Sequence, residues 1–218
     1  MQTFLYIKNG YYDVGVDNDK IRISAENLND RTIKPVHLAA SAPARHVYIE
    51  EFRISRNLVT RSEFSSFIAE TGYVTESEKE GWGWIWENGW LKKTGVSWNK
   101  PFGNSYDEIY RSGDYPVIQI SWNDAVMYTG WKSLKENAII RLPYEIEWEV
   151  FARTVGIRSF TSVQSHSPEN AGDVGLFLEK LSHGSEYQTG LVWEWTLDWY
   201  DGYSPEQKNR DFGSIYRV

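Results

Sequence analysis

Apolar and polar positions alternate at both ends of the chain. The opening TFLYIKNGYYDVGVD alternates weakly around Asn9-Gly10, a turn dipeptide, and predicts a hairpin. HVYIEEFRISRNLV, beginning at His46, alternates in the same way and predicts a pair of strands. Further on, GLVWEWTLDWY puts Leu191, Trp193, Trp195, Leu197 and Trp199 on one face and Val192, Glu194, Thr196 and Asp198 on the other. Side chains on a strand alternate between faces. The segment therefore reads as a half-buried strand with its indoles pointing inward.

Helical periodicity occupies the middle. Thr60 and Glu63 form a T-x-x-E capping box, Val59 and Phe64 are spaced as a hydrophobic staple, and Gly72 supplies a stop. Phe64, Phe67 and Ile68 then share one helical face. A second helix starts at Ser121 with Asp124 at its third position and buries some of Val126, Tyr128 and Trp131. A third spans Glu145 to Val155, entered through Pro143 and ended by Gly156, with Trp148, Phe151, Ala152 and Val155 on its apolar stripe. Between the first two helices, GWGWIWENGWLKKTGVSWNKPFGNSYDEIYRSGDYPV reads as irregular, as do Asn18–Ala44 and Ile157–Thr189. The expectation is one α+β domain over residues 1–218, low in regular secondary structure and held by its aromatics.

Composition narrows the chemistry. The 218 residues carry a formal net charge of -7, which repels phosphate backbones and anionic membranes and favours a basic protein partner. Aromatic content of 16% argues against disorder. No cysteine occurs, so thiolate metal sites and cysteine nucleophiles are excluded within these residues. Met1 is followed by no basic leader or apolar run, which predicts a cytoplasmic protein, or a periplasmic one if a signal peptide has been removed.

Two clusters invite a functional reading. Trp82, Trp84, Trp86, Trp90 and Trp98 serve mostly as core anchors, or some of them join Tyr106, Asp107 and Asp114 in a partner-binding surface selecting basic groups. Arg141, Glu145, Glu147 and Arg153 read as an ion-pair network orienting the third helix rather than as acid–base machinery. His37, His46, His166 and His183 are scattered, without metal-ligand spacing, and neither a P-loop nor a dinucleotide fingerprint is present.

In order, FLYIKNGYYDVGVD, the segment from RHVYIEEF to WIWENG, PVIQISWNDAVMYTGWKS, IIRLPYEIEWEVFARTVG and GLVWEWTLDWY resemble the formylglycine-generating enzyme, or sulfatase-modifying factor, family. The resemblance implies that family's variant of the C-type lectin fold. Where the family has a Thr helix cap this chain has Tyr144, a change worth about 1 kcal/mol of helix-end stability. The family's oxidases bind copper through paired cysteines, so no copper is expected here. Tyr216-Arg217-Val218 resembles the start of the family's RV-RGGS strand, which suggests C-terminal truncation. The resemblance also implies a calcium site at Gly190, Val192 and Glu194, only half of the six to eight oxygens calcium takes.

Functionally, the resemblance points to a non-catalytic protein-binding member. The concrete form is an immunity protein that neutralises a basic toxin delivered by bacterial type VI secretion. Two alternatives stand beside it: a cysteine-independent oxidase or tautomerase of the family, which needs a pocket with a perturbed group, and a calcium-dependent lectin-like module.

Overall fold

The computed structural model describes residues 4–17, 19, 41–86, 90–103, 106–112, 115–156 and 192–199. The chain divides into two compact units, one built from 1–56, 143–165 and 189–218, the other from 57–142 and 166–188.

The first unit is organised by an antiparallel ribbon. Strand β1 (Phe4–Ile7) pairs with β4 (Phe52–Ser55), and β2 (Gly10–Val14) pairs with β3 (Arg45–Ile49). The opening does not fold back on itself at Asn9-Gly10, as its turn dipeptide suggested, and β3 and β4 do not pair with each other. Instead the register runs unchanged across a two-residue break on both sides, from Ile7↔Phe52 to Gly10↔Ile49. The exposed residues in the break, Lys8 and Asn9 against Glu50 and Glu51, shift the inward-facing alternation by one position on each strand. Ile7, Val14 and Ile49 consequently all reach one core with Val150. Asn9 donates from Nδ2 to the Tyr48 hydroxyl at 2.9 Å, so its amide braces the ribbon rather than closing a turn.

The helix of this unit, Glu145–Thr154, lies where its pattern placed it, and Phe151 and Ala152 are buried as expected. Of the residues read as an ion-pair network, Arg153 pairs along the helix itself. Arg153 donates to Glu149 at 2.5 Å and to the Gly15 carbonyl at 2.6 Å, while Glu149 accepts from the Gly15 N–H at 2.7 Å. Glu147 accepts from the Tyr144 N–H at 2.8 Å, and Arg141 donates to the Leu142 carbonyl. Gly15 has φ +78°, and a Cβ there would lie 2.7 Å from the carbonyls of both Ser41 and Pro43.

Residues 192–199 form no strand, contrary to their alternation. Trp193 and Trp199 are 73% and 55% exposed, whereas Thr196 is buried. The reason is a helix end. Tyr144 has no short side-chain oxygen with which to cap the helix, and Asp198 supplies the missing acceptor, taking the Glu145 N–H at 2.6 Å. The Leu197 N–H bonds the Pro143 carbonyl at 2.8 Å beside it. A polar cap, not an apolar face, fixes the segment's position.

In the second unit, α1 (Arg61–Thr71) has the expected Thr60–Glu63 box and ends at Gly72 in the left-handed region. Helix α2 (Glu76–Glu80) is short, capped by Thr75 and Glu78, and absent from the sequence expectation because it buries no residue. Helices α3 (Tyr106–Ser112) and α4 (Trp122–Glu136) follow; the helix of the first unit is α5. Phe64, Phe67, Trp98, Val117 and Tyr128 form the core, with rings in edge and stacked contact at 5.3 to 5.8 Å. Asp124 is fully buried. It accepts from the Ser121 N–H at 2.8 Å, the Tyr73 hydroxyl at 3.0 Å and the Glu76 N–H at 3.1 Å, and so joins the starts of α2 and α4.

Two predictions arise here. Gly15→Ala meets two backbone oxygens and a left-handed φ, whereas Gly81→Ala meets the φ alone. Chemical denaturation is expected to show about 1–2 kcal/mol lost for Gly81→Ala and a clearly larger loss for Gly15→Ala. Burial, and secondarily the Asp124 hydrogen bond, push the Tyr73 hydroxyl up to about 12. The folded value lies above the ordinary 10, so this contribution is complete below pH 10 and disappears as pH rises through 12. Tyr73→Phe should flatten the fall in stability between pH 10 and 12.

Candidate functional site

The stretch that read as irregular contains a hairpin. Strand β5 (Trp82–Trp86) pairs antiparallel with β6 (Trp90–Thr94). The alternating Trp-Gly-Trp-Ile-Trp and the Asn88-Gly89 dipeptide were its signal in the sequence. Trp82 sits opposite Thr94, Trp84 opposite Lys92, and position 86 opposite Trp90. Directly opposed residues share a face, so the register gathers Trp82, Trp84, Lys92 and Trp90 on one side.

That side points outward. Trp84 is 46% exposed and Trp90 58%, while Trp82 is half-buried. Most of the five tryptophans were expected as core anchors; Trp98 alone, of those whose side chains are described, is buried. The opposite face explains the orientation. Gly83 is buried against the second unit's loops, where a Cβ would lie 2.5 Å from Val96 Cγ1 and 2.8 Å from Gln119 Oε1. With one face seated at Gly83, the indoles on the other have no core to enter.

Gln119 holds the hairpin there. Its side-chain amide donates to the Trp84 carbonyl at 2.5 Å and the Pro101 carbonyl at 3.2 Å. Its backbone has φ 59°, a left-handed conformation that costs a non-glycine residue about 1–3 kcal/mol. Sequence reading had no signal for this residue. The indoles also meet each other: the Trp82 and Trp84 rings are perpendicular at 5.5 Å, and Lys92 Nζ lies 3.9 Å from the Trp82 centroid and 5.6 Å from that of Trp84.

Of the remaining expected partner-binding residues, Trp98 and Asp107 are described with their side chains, and both are buried. Asp107 is buried, its carboxylate accepting from the Phe102 N–H at 2.9 Å, so it braces α3 instead of facing a partner. The side chains of Trp86 and Tyr106, and Asp114 altogether, lie outside the described residues, as does Gly190. Val192 and Glu194 are half-buried. Among the described residues no group of three or more carboxylate, imidazole or thiolate side chains comes together. Val192 and Glu194 alone are too few oxygen donors for the six to eight that calcium takes.

A cleft of about 290 Å³ lies at the root of the hairpin, lined by Ser77, Glu78, Gly81, Gly95, Asn99 and Lys100 among others. Its carboxylate is already engaged: Glu78 accepts from the Thr75 hydroxyl at 2.7 Å and the Thr75 N–H at 3.0 Å. Among the described residues no helix is long and apolar enough to cross a membrane.

A model of the sulfatase-modifying factor enzyme 1-like domain matches residues 1–214. The chain belongs to this family, and its fold is accordingly the α+β, formylglycine-generating-enzyme-like one that the ordered motifs suggested. Formylglycine-generating enzyme of Mus musculus is 28% identical over 235 residues, covering 89% of this chain and 57% of that protein. Inactive C-alpha-formylglycine-generating enzyme 2 of Bos taurus is 27% identical over 202 residues, covering 72% and 63%. Hercynine oxygenase of Mycobacterium tuberculosis is 29% identical over 226 residues, covering 87% and 49%. The chain thus spans a little over half the length of the mouse relative, and the family holds both enzymes and a member named inactive.

Gln119 carries the testable consequence of this geometry. Gln119→Gly relieves the backbone strain but removes the bonds to the Trp84 and Pro101 carbonyls, each worth about 1 kcal/mol. Hydrogen exchange should speed up about tenfold or more in residues 82–94 while the Phe64 core stays protected.

Proposed function

We propose that this chain is a non-catalytic, protein-binding member of the sulfatase-modifying factor family, and that the outward face of the β5–β6 hairpin is its contact surface. The observation that carries the reading is the exposure of Trp84 and Trp90 on a hairpin fixed from behind by Gly83 and Gln119. Indoles left about half exposed stabilise the fold less than buried ones. Trp is also among the residues most often found to dominate binding energy, and a pre-fixed strand loses little entropy on docking.

These residues contain no cysteine and so cannot themselves supply the paired copper ligands of the family's oxidases. The bovine relative named inactive shows that the family includes members without that activity. The partner proposed is a basic toxin of bacterial type VI secretion, with this chain as its immunity protein. The net charge of -7 supports a basic partner through long-range steering. A cysteine-independent enzyme is the competing reading and would use the cleft beside Glu78. The helix cap that already holds the Glu78 carboxylate weighs against its service as a base.

Co-expression with toxins of bacterial type VI secretion tests the proposal, with neutralisation of one of them the expected result. Trp84→Ala and Trp90→Ala should each weaken the complex more than about tenfold and restore toxicity, with folding stability lowered by only about 1–2 kcal/mol. Trp98→Ala, by contrast, empties the core and should cost about 3–5 kcal/mol. Full neutralisation by the double variant Trp84→Ala/Trp90→Ala would refute the assignment.

A further inference from the structure

The reading above leaves one group on the hairpin face unexplained. Lys92 places its ammonium 3.9 Å from the Trp82 centroid and 5.6 Å from that of Trp84. Among the described residues of the second unit, three other lysines lie over rings, and each has a local reason to be there. Lys132, over Tyr128, also pairs with Glu63 at 3.6 Å and Glu136 at 3.2 Å. Lys135, over Trp131, is paired with Glu70. Lys79, over Tyr73, stands in the last turn of α2, where the helix dipole favours a cation. Lys92 is on a strand, is exposed, and has no carboxylate within ion-pair distance among the described residues.

We infer that the Lys92 ammonium, framed by Trp82 and Trp84, receives a carboxylate from an extended acidic segment of the protein partner. The inference rests on the proposed function, since it takes this face as the contact surface. Three features of the site decide the chemistry. First, the position over the indole that would attract a partner's Lys or Arg is already occupied by Lys92, so a cation brought there meets like charge. Second, the cation–π contact satisfies one side of the ammonium only and leaves N–H donors for an acceptor. Indoles on its flank exclude water and lower the local dielectric, which strengthens a bond to an anion. Third, a strand presents every second side chain on one face about 6.6–7 Å apart. An extended peptide laid along β5 offers side chains at the same repeat, one acid to Lys92 and apolar neighbours to Trp84 and Trp90.

The sign of this contact is opposite to that of the whole chain, and the two act at different ranges. Net charge steers the approach of a basic partner, whereas the contact reads the groups immediately opposite. Of the three carboxylates of α2, Glu78 is held by Thr75, Glu76 accepts from Asn123 at 2.6 Å, and Glu80 is exposed. None of them forms an ion pair with Lys92.

Panning a random peptide library on the intact chain, on Lys92→Glu and on Trp84→Ala tests the assignment, with near-ultraviolet circular dichroism confirming that each variant is folded. The intact chain should select peptides in which Asp or Glu lies two residues from an aromatic or aliphatic side chain. Their affinity should fall at least tenfold on Lys92→Glu and persist on Lys92→Arg, and Lys92→Glu should itself select Lys- or Arg-bearing peptides. If Trp84→Ala abolishes binding and Lys92→Glu does not, the carboxylate assignment is wrong while the face remains the contact surface. If neither substitution matters, the face is not the contact surface and both readings fall. Selected peptides without acids, or no selection at all, also overturn the inference.

Discussion

Carboxylates bonded to backbone N–H groups are what the described structure depends on. A chain with short two-stranded ladders and brief helices leaves many amides without a ladder partner, and each one buried unpaired costs about 1–3 kcal/mol. Here the third residue of a helix repeatedly reaches back to its cap: Glu63 to the Thr60 N–H, Glu78 to Thr75, Asp124 to Ser121 and Glu147 to Tyr144, at 2.8 to 3.0 Å. Others act across longer stretches of chain, with Asp198 on Glu145, Glu149 on Gly15, and Asp124 on Glu76. Part of the acidic composition is therefore structural. The net charge of -7 still sets the far field, but several of its carboxylates face inward.

That distinction governs how much was legible in the sequence. Thr60 with Glu63 and Ser121 with Asp124 were readable because capping is local: the donor and acceptor are three residues apart, and an apolar stripe follows. Thr75 with Glu78 has the same spacing but introduces a helix with no buried face, so periodicity gave nothing to confirm it. The Tyr144 cap looked like a simple loss because its replacement, Asp198, lies 53 residues from the Glu145 N–H it accepts from. The strand pairs were visible as alternation, yet their partners were not. Alternation states which residues share a face, and only the core of Ile7, Val14, Ile49 and Val150 decides which strand lies beside which.

The candidate site shows the same limit. Trp82, Trp84 and Trp90 were identifiable as unusual, but indoles serve core and surface equally well, and composition favours the core. Orientation came from Gly83, whose missing Cβ lets β5 lie on Val96, and from Gln119, which bonds the Trp84 carbonyl from a strained backbone. Asp107 erred the other way: an acid in a loop-like stretch reads as surface, but it is buried on the Phe102 amide. The family assignment settles the scaffold without settling the job, because enzymes and an inactive homologue share it.

The most direct measurement is tryptophan footprinting by oxidation, with and without a type VI secretion toxin that the chain neutralises. Trp193 and Trp199 are as exposed as Trp84 and Trp90, so they serve as controls on the same molecule. Binding through the hairpin protects Trp84 and Trp90 and leaves Trp193 and Trp199 as reactive as before. Protection of Trp193 and Trp199 with the hairpin indoles unchanged would contradict the account.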